Sequence, residues 1–170
     1  MIRPSPRVLD VAGLAVRLGL AAVWLVSGVA KAVDPAQTRV AVAAYDVLPG
    51  GLVDPVATAL PLLELALGTL VLVGAFTRWA AVASGALLVV LLAGVVQAWA
   101  RGLAIDCGCF GGGGAVDAGD TRYPQEVARD TGFLLLAVWL VVRPRTALAV
   151  DRWLAGDRWG DGRATGAATA

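Results

Sequence analysis

The chain has 170 residues, 58% of them apolar and 16% charged, with a mean hydropathy of +0.75. A soluble domain carries about 25% charge, so this composition excludes one, and it has the apolar residues that a disordered chain lacks. With 14 basic and 13 acidic residues the net charge is only +1, which excludes the basic footprint of a nucleic-acid binder. The expected class is an all-α integral membrane protein. His is absent and Met occurs only at position 1, so histidine-ligated haem, His-built zinc sites, Ser-His-Asp and Cys-His catalysis are excluded. Any chemistry falls to Cys, carboxylates, Arg, Lys or Tyr.

In chain order, four windows have the roughly 20 apolar residues that a span of the bilayer core requires. They run from about Val11 to Val33, Val56 to Phe76, Trp79 to Ala100 and Val127 to Val142. The expected fold is a four-transmembrane-helix bundle. The first window follows Arg3 and Arg7 and contains Ala30-Lys31-Ala32, which has the look of a signal cleavage site. It is longer than a signal core and contains Arg17, so it reads as an uncleaved helix. Asp34-Pro35 then reads as an N-cap with Pro at the first helical position, opening a short interfacial helix that ends before Pro49-Gly50-Gly51. Thr77-Arg78 leaves room only for an antiparallel turn. The long loop, Arg101 to about Gln125, holds both cysteines. After Arg143-Pro144-Arg145, the spacing of Val150, Trp153 and Leu154 reads as an amphipathic segment, followed from Gly160 by a disordered tail. The domain reading is a transmembrane domain over 1–145 and a cytoplasmic tail over 146–170.

Arg3, Arg7, Arg78, Arg143, Arg145, Arg152, Arg158 and Arg163 fall on one side of four spans; Lys31, Arg39, Arg101, Arg122 and Arg129 fall on the other among more acids. The basic side is expected to be cytoplasmic. Both termini are then inside, and the cysteine loop faces the oxidising side.

The sharpest local signal is Asp106-Cys107-Gly108-Cys109-Phe110-Gly111. An extended strand puts Cα atoms two residues apart at about 6.6 Å, the long end of the disulfide range, and Gly108 lets the backbone close that gap. A bridge over one residue is strained and hence readily exchanged, and it closes too small a ring to add much stability. Redox chemistry explains the pair better than stapling does. Two alternatives stand beside it: a Cu(I) site, which has no Met or His nearby to complete it, and two idle cysteines. No metal is expected.

Asp106 and the end of the third helix disfavour a thiolate, so a cation is needed. Arg129 is the candidate, against the alternative of a snorkelling Arg paired with Asp130 or Glu126. Arg17 and Glu64 lie inside spans, where a charge costs roughly 2.5 to 3.5 kcal/mol on insertion scales. Arg17 and Lys31 compete as the partner of Glu64. Either these charges form a polar interior for a cofactor head group or proton relay, or they are an ion pair that fixes helix register. Gly19, Gly28, Gly68, Ala81 and Gly85 allow close helix contacts, and Trp79 and Trp99 read as interfacial anchors.

Taken jointly, these features resemble the MauE family within the wider MauE/DoxX redox-associated group. They are Arg17, Ser27-Gly28 with Lys31 and Asp34-Pro35, Tyr45 with Leu48-Pro49, Leu60-Pro61 with Glu64 and Gly68, Arg101-Gly102 and the CGCFG loop. The resemblance covers roughly residues 11 to 142. It implies a DoxX-like bundle in the bacterial cytoplasmic membrane that handles disulfides outside the cytoplasm, with a thioredoxin-like or disulfide-containing partner and surrounding lipid. Cys107, Cys109 and Arg129 are then the candidate catalytic residues. Arg17, Lys31, Glu64 and Tyr45 are the candidate cofactor-binding residues, and a quinone in the bundle is the candidate acceptor. The alternative is a non-catalytic anchor or assembly subunit of a redox enzyme. The Gly-rich stretch after Gly111 and the tail with Trp153 and Trp159 are not matched.

Overall fold

The computed structural model describes residues 6–144, 146, 148–151 and 153. Five helices carry it: α1 (Pro6–Val33), α2 (Pro35–Ala44), α3 (Gly50–Val73), α4 (Thr77–Ala100) and α5 (Tyr123–Val142). Between α4 and α5 lie two short antiparallel strands, β1 (Ile105–Asp106) and β2 (Gly114–Ala115). The helical stretch of the expected tail beyond Trp153, and the expected disordered segment from Gly160, lie outside the described residues.

The described residues are mostly helical, and the composition is that of a membrane protein. Val8–Val33, Gly50–Val73 and Thr77–Ala100 are each long and apolar enough to cross a bilayer. Helix α5 has 20 residues, about 30 Å at 1.5 Å per residue. Its first half carries Glu126, Arg129 and Asp130. Length and composition therefore give three candidate spans where the sequence reading expects four.

Asp34 caps α2 as expected, its Oδ1 accepting from Gln37 N at 3.0 Å, with Pro35 at the start of the helix. Helix α3 starts at Gly50, earlier than expected, with Pro55 and Pro61 inside it. It ends on Gly74, whose left-handed backbone closes a C-cap.

Helix α1 packs along α3, α4 along α5, and α1 also meets α5. The α1–α3 contact is close because glycines face leucines. A Cβ on Gly28 would lie 2.9 Å from Leu65 Cγ, and one on Gly68 would lie 2.8 Å from Leu25 Cγ. This antiparallel register puts Glu64 level with Val29 and Arg17 level with Phe76. A core of Leu20, Ala21, Trp24, Leu67, Val71, Ala81, Leu88, Ala137 and Leu140 fills the bundle. The buried Trp24 ring N–H donates to Ser84 Oγ at 2.9 Å, which satisfies both groups. At the cysteine end a second cluster joins Val95, Ala98, Ile105, Cys107 and Tyr123. Trp79 is exposed, and Trp99 is half-exposed and stacked on Tyr123.

Candidate functional site

The cysteine loop is held from three sides. From α2, Ala41 sits against the glycines: a Cβ on Gly108 would lie 2.8 Å from Ala41 Cβ, and one on Gly113 only 2.7 Å. Both glycines have positive φ, so at these positions glycine answers a steric and a conformational demand together. Gln37 Nε2 donates to the Gly113 carbonyl at 2.6 Å. The Gly-rich stretch thus lets the loop lie flat under α2.

From α1 and α3 come the buried charges. Lys31 Nζ donates to Glu64 Oε1 at 3.0 Å, to Ser27 Oγ at 2.6 Å and to the Cys109 carbonyl at 2.9 Å. Ser27 Oγ lies 2.6 Å from that carbonyl and 3.1 Å from Glu64 Oε2. Lys31, Ser27 and Glu64 are all buried, so a fully partnered ion pair grips the backbone of Cys109 in low dielectric. Tyr45, at the end of α2, donates its hydroxyl to the Cys107 carbonyl at 3.0 Å. Burial, and then the neighbouring cysteines, hold the Tyr45 phenol well above its ordinary range. Both cysteine carbonyls are therefore clamped.

From α5 comes the cation. Arg129 Nη2 lies 3.5 Å from Cys107 Sγ, its Nε donates to Asp130 Oδ1 at 2.8 Å, and its guanidinium sits 5.0 Å from the Phe110 ring centroid. Phe110 in turn meets Phe133 edge-on. The two alternatives for Arg129 hold together: it pairs with Asp130 and faces the sulfur at once.

Cys107 and Cys109 are free thiols. The hydrogen bond from the Cys109 thiol lowers the pKa of Cys107, and Arg129 and the Cys109 backbone N–H add to this against the cost of burial. The same hydrogen bond, burial and charge on Cys107 push Cys109 well above the ordinary thiol range. Cys107 is buried and Cys109 half-buried.

Arg17 lies at the far end of the bundle. The fourteen residues from Arg17 to Lys31 span about 21 Å of helix. Arg17 donates to Thr146 Oγ1 at 3.0 Å and to the Leu148 carbonyl at 3.3 Å, while Asp151 accepts from Phe76 N and Thr77 N at the start of α4, each at 2.8 Å. Of the four candidate cofactor residues, Lys31, Glu64 and Tyr45 meet around the cysteine loop and Arg17 does not. Lys31 is the partner of Glu64.

A chamber of about 310 Å³ opens beside the loop. Its walls include Val42, Leu48, Val56, Leu60, Val90 and Leu91, and Lys31, Thr38, Tyr45 and both cysteines reach it. Among the described residues, one thiol and two carboxyl groups stand close together. A carboxylate oxygen from each of Asp106 and Glu126 and the Cys107 sulfur lie within 4.8 Å of one another. The Arg129 guanidinium competes for that sulfur.

Ser27 joins the site with no role read from the sequence, and Glu126 joins it beside Cys107 and not as the ion partner of Arg129, which is Asp130. Ser27 stands one helical turn before Lys31. Tyr123, Glu126, Asp130, Phe133, Ala137 and Leu140 recur at three- and four-residue spacing, which is the signal for a single helix face.

The family model described as Methylamine utilisation protein MauE matches residues 9–143, a range that takes in the whole cysteine site. No curated protein and no solved structure matches the chain.

Proposed function

The chain belongs to the MauE family, and from that premise we propose that it is a membrane thiol–disulfide exchange protein working through Cys107 and Cys109. The observation that carries this reading is the asymmetry of the pair. Cys107 is buried against a guanidinium, while Cys109 is half-buried and keeps its proton. In exchange, the sulfur of lower pKa leaves faster, so attack falls on its partner sulfur. A partner thiolate therefore bonds to Cys109 Sγ, and Cys107 Sγ leaves with the electron pair, stabilised by Arg129. A second partner thiol then displaces Cys109. The pair gains two electrons and two protons, and the partner gains a disulfide. The clamped carbonyls of Cys107 and Cys109 keep the sulfurs in register through both states.

Helix α5 forms the fourth span in this reading, with its charged first half facing the cysteine loop. The basic residues Arg78 and Arg143 support a topology with both termini in the cytoplasm and the loop outside, in a bacterial cytoplasmic membrane. The partner is an extracytoplasmic thioredoxin-like or disulfide-containing protein.

The second acceptor is a quinone in the chamber beside the cysteines. The apolar walls suit a quinone ring and its tail. The polar groups at the edge, Lys31 Nζ, Thr38 Oγ1 and Tyr45 OH, already donate to protein acceptors, so the fit rests on shape and apolarity, with Lys31 and Tyr45 nearest for sharing a donor. A quinone there supplies a two-electron acceptor.

Trapping tests the exchange. Cys107→Ser in membranes should accumulate a covalent, reductant-sensitive complex through Cys109, and Cys109→Ser should accumulate much less. If neither variant traps a partner and both support normal partner oxidation, the protein is instead a non-catalytic anchor or assembly subunit.

A further inference from the structure

Exchange at Cys107 moves a proton as well as electrons, and Arg129 cannot carry it. A guanidinium stays protonated, so it stabilises a thiolate without giving or taking a proton. A buried group close enough to do so is Glu126. One of its carboxylate oxygens lies within 4.8 Å of Cys107 Sγ. The residue is 5% exposed and its Oε2 is buried with no hydrogen-bond partner. A buried carboxylate oxygen without a partner is costly in a native structure and calls for an explanation. Here the carboxyl group that carries it stands beside the sulfur that alternates between bonded, thiolate and thiol forms.

We propose that Glu126 is the proton-exchange partner of Cys107, a catalytic acid and base for the thiol pair. The proposal rests on the exchange reading above. When a partner thiolate bonds to Cys109 Sγ, the Cys107–Cys109 bond breaks and its electron pair goes to Cys107 Sγ. The proton on the Glu126 carboxyl then passes to that sulfur, and the carboxylate is reprotonated by the proton the partner thiol gave up. In the opposite direction Glu126 takes the proton from Cys107 as its sulfur attacks Cys109 Sγ in a mixed disulfide, and the partner sulfur leaves.

The groups that act on Glu126 electrostatically are Asp106 and Cys107 from the loop, Arg129 and Tyr123 from its own helix, and Tyr45 from α2. Asp130 pairs with Arg129. Of these, an Asp106 carboxylate oxygen also lies within 4.8 Å of the Cys107 sulfur, but Asp106 is exposed at the end of β1. Water can therefore serve it.

The test needs no partner, so its failure is separable from failure of the exchange reading. In full-length Cys109→Ser protein in detergent, the rate of Cys107 alkylation by iodoacetamide is followed against pH. A thiol and a carboxyl that share a proton titrate in two macroscopic steps. The profile should show two inflections. Glu126→Gln should leave one, and Glu126→Asp should restore the second. A structural role for Glu126 would be kept by Gln, leaving both inflections in place, and that result overturns the proposal; so does a single inflection in the parent. Should Glu126→Gln not accumulate, infrared titration of the parent decides. The S–H band should vanish in step with a change in a carboxylic-acid C=O band, and its loss with no such change overturns the proposal.

Discussion

Lys31 and Glu64 are a pair in which each charge is tolerable only because of the other. Removing one partner of a buried ion pair costs about 3 to 5 kcal/mol, because the remaining charge is left uncompensated. Glu64→Ala should therefore lower thermal stability in detergent far more than Glu64→Gln, which keeps an acceptor for Lys31 Nζ. The double variant Lys31→Met, Glu64→Leu should recover much of that loss. Equal stability of the two single variants would place Glu64 in water. Arg129 makes a different prediction, read in pH. It favours the Cys107 thiolate, so Arg129→Ala in a Cys109→Ser background should raise the thiol pKa. Alkylation of Cys107 should then shift to higher pH and slow near neutrality, and an unchanged profile would show that the guanidinium does not act on the sulfur.

At the scale of elements, the α1–α3 register decides which charges meet. Gly28 against Leu65 and Gly68 against Leu25 bring Glu64 to Lys31 and leave Arg17 to Thr146. Gly68→Val forces a side chain where Leu25 already sits, at an overpacking cost of about 1 to 3 kcal/mol. Thermal unfolding should register that loss, together with faster Cys109 alkylation as the clamp on its carbonyl loosens; wild-type values for both would mean the helices are not in close contact there. The glycines were legible from the sequence as contact residues, and the α2 cap was legible from Asp34-Pro35, because each rests on local chemistry. The register was not. Depths counted from the ends of hydrophobic windows depend on where each helix begins, and α3 begins at Gly50, where Gly50-Gly51 reads as a break. Arg129 could be placed near the cysteines because α5 has too few apolar residues to hide its charged turns. The role of Glu126 needed the fold, since only the hairpin β1–β2 brings Cys107 back over α5.

The whole molecule has a polar, cysteine-bearing end and an opposite end where Arg17 and Asp151 tie the chain after α5 to α1 and α4. The chamber joins the cysteines to the apolar interior, so filling it should separate the two half-reactions. Leu60→Trp should slow reoxidation of the dithiol by a short-chain quinone while leaving the Cys107→Ser trap intact; unimpaired reoxidation would place the acceptor elsewhere. Exchange through Cys107 and Cys109 requires the two thiols to act as one redox unit. The most direct measurement is a redox titration of the full chain in detergent against thiol–disulfide buffers, read by mass-tagging of free thiols. A single reversible two-electron transition is expected, abolished by either Cys→Ser substitution. Two thiols that never form the Cys107–Cys109 disulfide at any applied potential would contradict it.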